Sequence, residues 1–318
     1  GCYIVNSTPL GIVRLARYFK NDSISKMIDN KKFLKDNLRL IEIETFSYCN
    51  RKCWFCPNSF VDRRSFNEEM PEDKYLHVLS QLKEIEYDGE VTYSRYNEPL
   101  AHKDLIIKRI KQARQMLPSA TLRTNTNGDY VTRAYIEELA DAGLDQLWIQ
   151  QYLGNNEKYN HQKVKKRMLK KVKEIGIPYT VLIDLEGCKI EYDLSHRGMT
   201  IHIRARNFEL DGSSRGDTVP LAKGYTRTQR CLQVSQNMYI DYNGKVMVCC
   251  ALRSDVPGQE SGVMGDAFQN NIWDIYGSSN YDSWRAHHAA DGPKKGFCKR
   301  CKDSVEPEYM VQIGKTKE

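Results

Sequence analysis

A chain of 318 residues, 40% hydrophobic and 28% charged, has a globular make-up and is long enough for one large domain and a small one. It has no apolar run of the roughly 18 residues that a membrane span needs. The N-terminal stretch, broken by Arg14 and Arg17, lacks a signal peptide's apolar core, so a cytoplasmic protein is expected. The formal charge is +7, much of it in residues 161–174, where Val164, Met168, Leu169 and Val172 recur at helical spacing. Its lysines then coat an outer helix face, and nucleic acid is not an expected partner. Ten cysteines at close spacing in a chain of this kind point to metal or iron–sulfur binding in a reducing compartment rather than to disulfides. Cys2, at the edge of the chain, carries little weight.

Six strand-like runs follow in chain order, at 40–46, 91–96, 121–126, 144–152, 179–185 and 199–206. Helical periodicity fills 71–86, 102–117, 132–143 and 161–174. The first of these opens on Pro71 and two acids; the third has Thr132 as N-cap and Gly143 as stop. No helix is evident between the fifth and sixth strands. This alternation predicts an α/β fold, a partial (β/α)6 TIM-like barrel with a parallel sheet. Residues 207–230, rich in Gly, Ser and Pro, read as a linker. Beyond it a hairpin over 237–250 turns on Asn243-Gly244. The expected organisation is an N-terminal extension (1–38), a barrel core (39–211), a linker (212–230) and a small cysteine-bearing iron–sulfur domain (231–318).

Three motifs fall at the carboxyl ends of parallel strands, the rim where barrel enzymes hold their chemistry. Cys49, Cys53 and Cys56, spaced C-x3-C-x2-C, follow the first strand. Tyr96-Asn97-Glu98-Pro99 ends the second, and Asn127-Gly128 ends the third. Three thiolates hold three irons of a [4Fe–4S] cluster and leave the fourth open to an outside ligand. A carboxylate such as Glu98 suits a cationic amino group, and Asn97 tolerates glycine-like backbone angles.

The C-x3-C-x2-C motif, with the aromatic Phe55 before its third cysteine, resembles the hallmark of the radical S-adenosylmethionine (SAM) superfamily. The resemblance implies that SAM chelates the open iron and is cleaved reductively to a deoxyadenosyl radical. It implies that Glu98, in place of the family's Gly-Gly-Glu-Pro glutamate, binds the SAM amino group, with Phe55, Tyr96, Asn97, Pro99, Asn127 and Gly128 nearby. Residues 244–249 and the Cys298–Cys301 pair resemble the SPASM extension, or its shorter twitch form. Cys231, Cys249, Cys298 and Cys301 would then complete one auxiliary [4Fe–4S] cluster, with a structural zinc on the same thiolates as the rival.

From about residue 40 to 303 the motifs resemble those of aminoglycoside-tailoring radical SAM enzymes. That likeness implies a small-molecule substrate, a sugar or aminocyclitol, that is dehydrogenated or epimerised, an electron donor such as flavodoxin or ferredoxin, and substrate contact by Arg215. Two positions depart from the pattern: Asn125 stands for a tyrosine and Ala251 for an acid. Epimerases of the family return a hydrogen atom from a cysteine thiol, and Cys188 and Cys250 are the candidates left outside both clusters. Asp184 and Glu186 are candidate substrate contacts, and His287-His288 reads as a surface pair. Peptide modification, a non-catalytic iron–sulfur carrier and a zinc-stabilised binding protein remain as alternatives.

Overall fold

A computed structural model describes residues 23–305; Cys2, the start of the expected extension and residues 306–318 lie outside the described part. The elements are α1 (Ser23–Asn37), β1 (Leu40–Ile43), α2 (Glu72–Glu84), β2 (Glu90–Thr92), α3 (Lys103–Met116), β3 (Thr121–Thr126), α4 (Arg133–Asp141), β4 (Gln146–Gln150), α5 (His161–Ile175), β5 (Tyr179–Leu185), β6 (Lys189–His196) and β7 (Met199–Arg206). There follow α6 (Phe208–Asp211), α7 (Gln233–Gln236), β8 (Asn237–Ile240), β9 (Lys245–Met247), β10 (Val263–Asp266), α8 (Ile272–Tyr276) and α9 (Ser279–His288). They build one ten-stranded sheet in the order β10-β9-β8-β1-β2-β3-β4-β7-β6-β5.

Local chemistry sets the helix ends. The Thr132 side chain accepts from the Tyr135 N–H to start α4. Asn160 does the same for Lys163 at the head of α5, and Gly176 stops that helix in the left-handed region at φ 67°. Val164, Met168, Val172 and Ile175 of α5 are buried, whereas Leu169 is 41% exposed and stands off the stripe.

β1, β2, β3, β4 and β7 run parallel, and β8 adds to the free side of β1 in the same direction. The expected six β/α units reduce to four. After α5 the chain forms β5, then β6 and β7, each antiparallel to its predecessor. The reason is the length of the connections. A parallel return needs a crossover of a dozen residues or more, but only Glu186, Gly187 and Cys188 separate β5 from β6. Arg197 (φ 50°) and Gly198 (φ 78°) make the two-residue turn into β7. The barrel therefore stays open, with β5 at its edge.

The sheet runs unbroken across residues 230 and 231, because β8 pairs with β1 from Leu40↔Asn237 to Ile43↔Ile240. The expected hairpin forms, with Gly244 at φ 82°; a Cβ there would meet Phe268 Cγ at 2.6 Å. Helix α1 packs on the same region: Asn30 Nδ2 donates to Asp274 Oδ1 (2.9 Å), and Lys31 Nζ lies 4.4 Å over the Trp273 ring.

Burial sets a contrast between two neighbours in α5. Met168→Ala should cost about 2–5 kcal/mol in chemical denaturation, and Leu169→Ala less than about 1 kcal/mol.

Candidate active site

Cys49, Cys53, Cys56, Phe55, Tyr96, Asn97, Glu98, Asn127, Arg215 and Cys250 all line one cleft of about 950 Å3 at the carboxyl ends of the parallel strands. The cysteine loop is held at several points. The Cys49 N–H donates to Arg63 O and the Trp54 N–H to Asn155 O, both at 2.9 Å. Arg51 pairs with Asp129 beyond β3, with Nε 2.7 Å from Oδ2, and its Nη1 donates to Leu153 O at 3.0 Å. Burial pushes the thiols of Cys49 and Cys53 up to about 12, so they ionise only against positive charge of the kind iron supplies.

Glu98 is 2% exposed. Its carboxylate accepts from Leu100 N (3.1 Å), Thr126 Oγ1 (2.5 Å) and Asn127 N (2.7 Å), which ties the second motif to the third. Desolvation outweighs these bonds and pushes its carboxyl up to about 7. Pro99 opens the short turn Pro99–Ala101 that Glu98 caps. Asn97 is not among the residues with positive φ. It matches the sequence for a different reason: its Oδ1 accepts the Arg95 N–H (3.1 Å) and its own N–H donates to Glu44 (2.9 Å). Gly128 does need its freedom, with φ 80° and a would-be Cβ 2.5 Å from Gln151 Nε2. Phe55 stacks on Phe208 at 3.8 Å between centroids.

Glu44, Arg63, Arg253 and Asp255 form a buried network that the sequence reading missed. Glu44 accepts from Arg63 Nη1 (2.6 Å), Tyr96 N (3.0 Å) and Asn97 N (2.9 Å). Arg63 also reaches Ser47 O and Asp255, and Arg253 joins Asp255 to Asn58. Also missed on the cleft walls are Glu42, Ser94, Arg95, Gln150 and Arg206. The usable signal was a charge inside an otherwise apolar strand, as with Glu42 in Leu40–Ile43.

A second cavity, of about 380 Å3, gathers Cys231, Cys249, Cys298 and Cys301. Burial raises all four thiols, Cys298 to about 11 and Cys301 to about 12. Among the described residues no three His, Cys, Asp or Glu converge closely enough for a single metal ion. Arg227 Nη1, from the expected linker, reaches Cys301 O at 3.3 Å, and Ser213 Oγ lies 3.6 Å from Cys301 Sγ.

Cys250 lines both cavities. Its carbonyl accepts from Tyr96 Oη at 2.8 Å, and its sulfur is disulfide-bonded, so it carries no S–H in this state. Arg215, at φ 49°, pairs with Asp303 (3.7 Å), which itself lines the second cavity. Cys188 sits in the β5–β6 turn and lines neither cavity. Asp184 turns to α5 instead, pairing with Lys165 (2.5 Å) and His161 (2.8 Å), and Glu186 is exposed beside His161. His287 is exposed as expected, but His288 is buried in the second cavity, which corrects the surface-pair reading.

Residues 43–187 match the radical SAM superfamily, and residues 231–302 match SPASM, an iron–sulfur cluster-binding domain. The chain is a radical SAM enzyme. A curated relative of this radical SAM enzyme is the S-adenosyl-L-methionine-dependent 2-deoxy-scyllo-inosamine dehydrogenase of Niallia circulans, 26% identical over 274 residues, 85% of this chain and 95% of its own length. The solved structure of BtrN in complex with AdoMet and 2-DOIA shares the fold, with TM-score 0.60 at 23% identity, over 84% of this chain and 94% of that one. Native anSMEcpe with bound AdoMet follows at TM-score 0.50 and 12% identity, covering 87% and 95%.

The radical SAM enzyme thus uses SAM, a [4Fe–4S] cluster and a further iron–sulfur cluster, and the residues present fit them. Cys49, Cys53 and Cys56 supply three thiols to one cleft and leave a coordination position open. Glu98 is a buried carboxylate with no Lys or Arg paired to it among the described residues, as an acceptor for an amino group requires. When bound there, the cluster and SAM together supply an electron and a carbon radical that removes a hydrogen atom.

An ionised Glu98 is the better acceptor, and its carboxyl protonates below about 7. SAM affinity of the reconstituted enzyme should therefore fall as pH drops from 8 towards 6, by up to about tenfold per unit. Titration calorimetry across that range should show the slope, and Glu98→Gln should flatten it while weakening binding at pH 8.

Proposed function

We propose that this enzyme removes a hydrogen atom from a carbinol or amine-bearing carbon of an aminocyclitol or similar small polar substrate, giving a dehydrogenated product. The observation that carries this reading is the composition of the cleft. Beside the three-cysteine loop and Glu98, its walls offer a carboxylate (Glu42), hydroxyl and amide groups (Ser94, Asn125, Gln150) and four guanidinium groups (Arg51, Arg95, Arg206, Arg215). Such a lining suits a ring carrying several hydroxyls and an amine, with Glu42 as the acceptor for the amine. Burial raises the Glu42 carboxyl and Arg95 opposes that rise, so a cationic amine entering the cleft would favour its charged form.

Removal of the second electron needs an acceptor, and the auxiliary cavity is separated from the cleft by the peptide link between Cys249 and Cys250. The named activity of the Niallia circulans relative supports the same outcome. Asn125 lies on the wall and is 2.5 Å from Ser94 Oγ, so the departure from the family pattern there falls where it would alter substrate choice.

Cys250 favours a second reading. Its place on the cleft wall suits a thiol that returns hydrogen to the opposite face of a substrate radical, which would make the enzyme an epimerase. That role requires the disulfide to be reduced first.

The test is anaerobic turnover with SAM, reductant and aminocyclitols deuterated at each carbinol carbon. We expect deuterium in the released deoxyadenosine and a product lighter by two hydrogens. Deuterium gained from heavy water at unchanged substrate composition, and lost in Cys250→Ser, would mean epimerisation. No transfer from any aminocyclitol or sugar would overturn the substrate class.

A flavodoxin or ferredoxin in the cytoplasm is the proposed electron source. Exposed Lys158, Lys163 and Arg167 pair with Glu209 and Glu157, and Trp54 of the cysteine loop donates to the Glu157 carbonyl at 3.1 Å. Acidic carriers suit that face. Turnover driven by flavodoxin should fall several-fold between 50 and 300 mM salt, while turnover driven by dithionite stays level.

A further inference from the structure

Helix α9 buries Tyr281, Arg285 and His288, spaced four and three residues apart, on one face. Arg285 fixes that face in place: its Nη2 donates to Tyr276 O at 2.7 Å, and its guanidinium lies 4.1 Å from the Tyr276 ring centroid. The face thus delivers His288, 1% exposed, to the wall of the auxiliary cavity. The main chain of His288 already serves that site, because its carbonyl accepts the Cys231 N–H at 3.0 Å.

The ring is oriented as firmly. Nδ1 is 2.7 Å from Trp284 O, and the two rings are stacked within 11°. A carbonyl only accepts, so Nδ1 carries the hydrogen and the neutral ring presents a lone pair at Nε2. That lone pair faces Cys298 Sγ at 3.0 Å. A thiolate bound to iron has no hydrogen to offer it, so in the loaded site the lone pair takes either a proton or a metal ion. An imidazole whose other nitrogen donates to a backbone carbonyl is the arrangement that metal-ligating histidines adopt.

We propose that Nε2 of His288 is a fifth donor of the auxiliary site and takes over the iron of Cys298. In that exchange the Fe–S bond to Cys298 breaks and an Fe–N bond forms. The departing thiolate takes a proton from solvent, and no electron changes hands. A neutral ligand replaces an anionic one, which raises the reduction potential of the cluster. The inference rests on the auxiliary cluster alone and is independent of the substrate.

The test uses the full chain carrying Cys53→Ala, to silence the SAM-binding site, reconstituted without SAM. About four irons per chain are expected. Adding Cys298→Ala should leave that count unchanged and produce a histidine nitrogen coupling in pulsed EPR, shifted by 15N-histidine labelling. Adding His288→Ala as well should empty the site. Loss of the iron in Cys53→Ala/Cys298→Ala, or its retention without histidine coupling, overturns the proposal. Should that variant not fold, the Cys53→Ala protein decides: a coupling lost on His288→Ala supports the proposal, and none refutes it.

Discussion

Glu44 is the carboxylate on which the rim depends. It is fully buried, one residue past β1, and it accepts the N–H groups of Tyr96 and Asn97 while pairing with Arg63. Arg63 carries the connection to the Ser47 carbonyl, at the root of the cysteine loop, and to Asp255. Burying such charges costs several kcal/mol per ion, and removing one partner of a buried pair costs about 3–5 kcal/mol. The arrangement holds because both carboxylates and both guanidinium groups find partners, and those partners come from three separate loops. The loop that carries the thiols and the loop that carries Glu98 are therefore fixed by the same charge.

The polar concave face of the sheet continues this theme below the rim. Arg123 pairs with Glu90 at 2.7 Å, Arg204 donates to Gln150 at 2.8 Å, and both guanidinium groups lie within 5.5 Å of the Trp148 ring. A closed barrel packs its interior with branched apolar side chains. Here the interior is charged and paired, as suits an open barrel whose hollow receives a hydrated ligand. The apolar core lies between the sheet and its helices instead.

Much of this was legible in the sequence, for local reasons. The cysteine spacings are short, and the chemistry of three thiols beside one carboxylate is independent of the rest of the chain. The helix cap at Thr132 is likewise set by its neighbours. What escaped was long-range. Arg63 and Asp255 are 192 residues apart, and nothing local marks them as partners. Strand β6 escaped because a parallel barrel was expected there, although Ile190, Tyr192 and Leu194 alternate with polar residues as a one-sided strand should. His288 was misread because adjacent histidines suggest a surface, whereas its spacing from Tyr281 and Arg285 predicts a buried face.

Cys249 lines the auxiliary cavity and Cys250 lines both that cavity and the cleft, so one peptide link serves two compartments at once. A shift of the main chain there to suit a new substrate would also shift Cys249. Glu42, Asn125, Gln150 and Arg206 line the cleft alone, and as side chains on strands they can change to suit a new substrate while the auxiliary cavity keeps its lining.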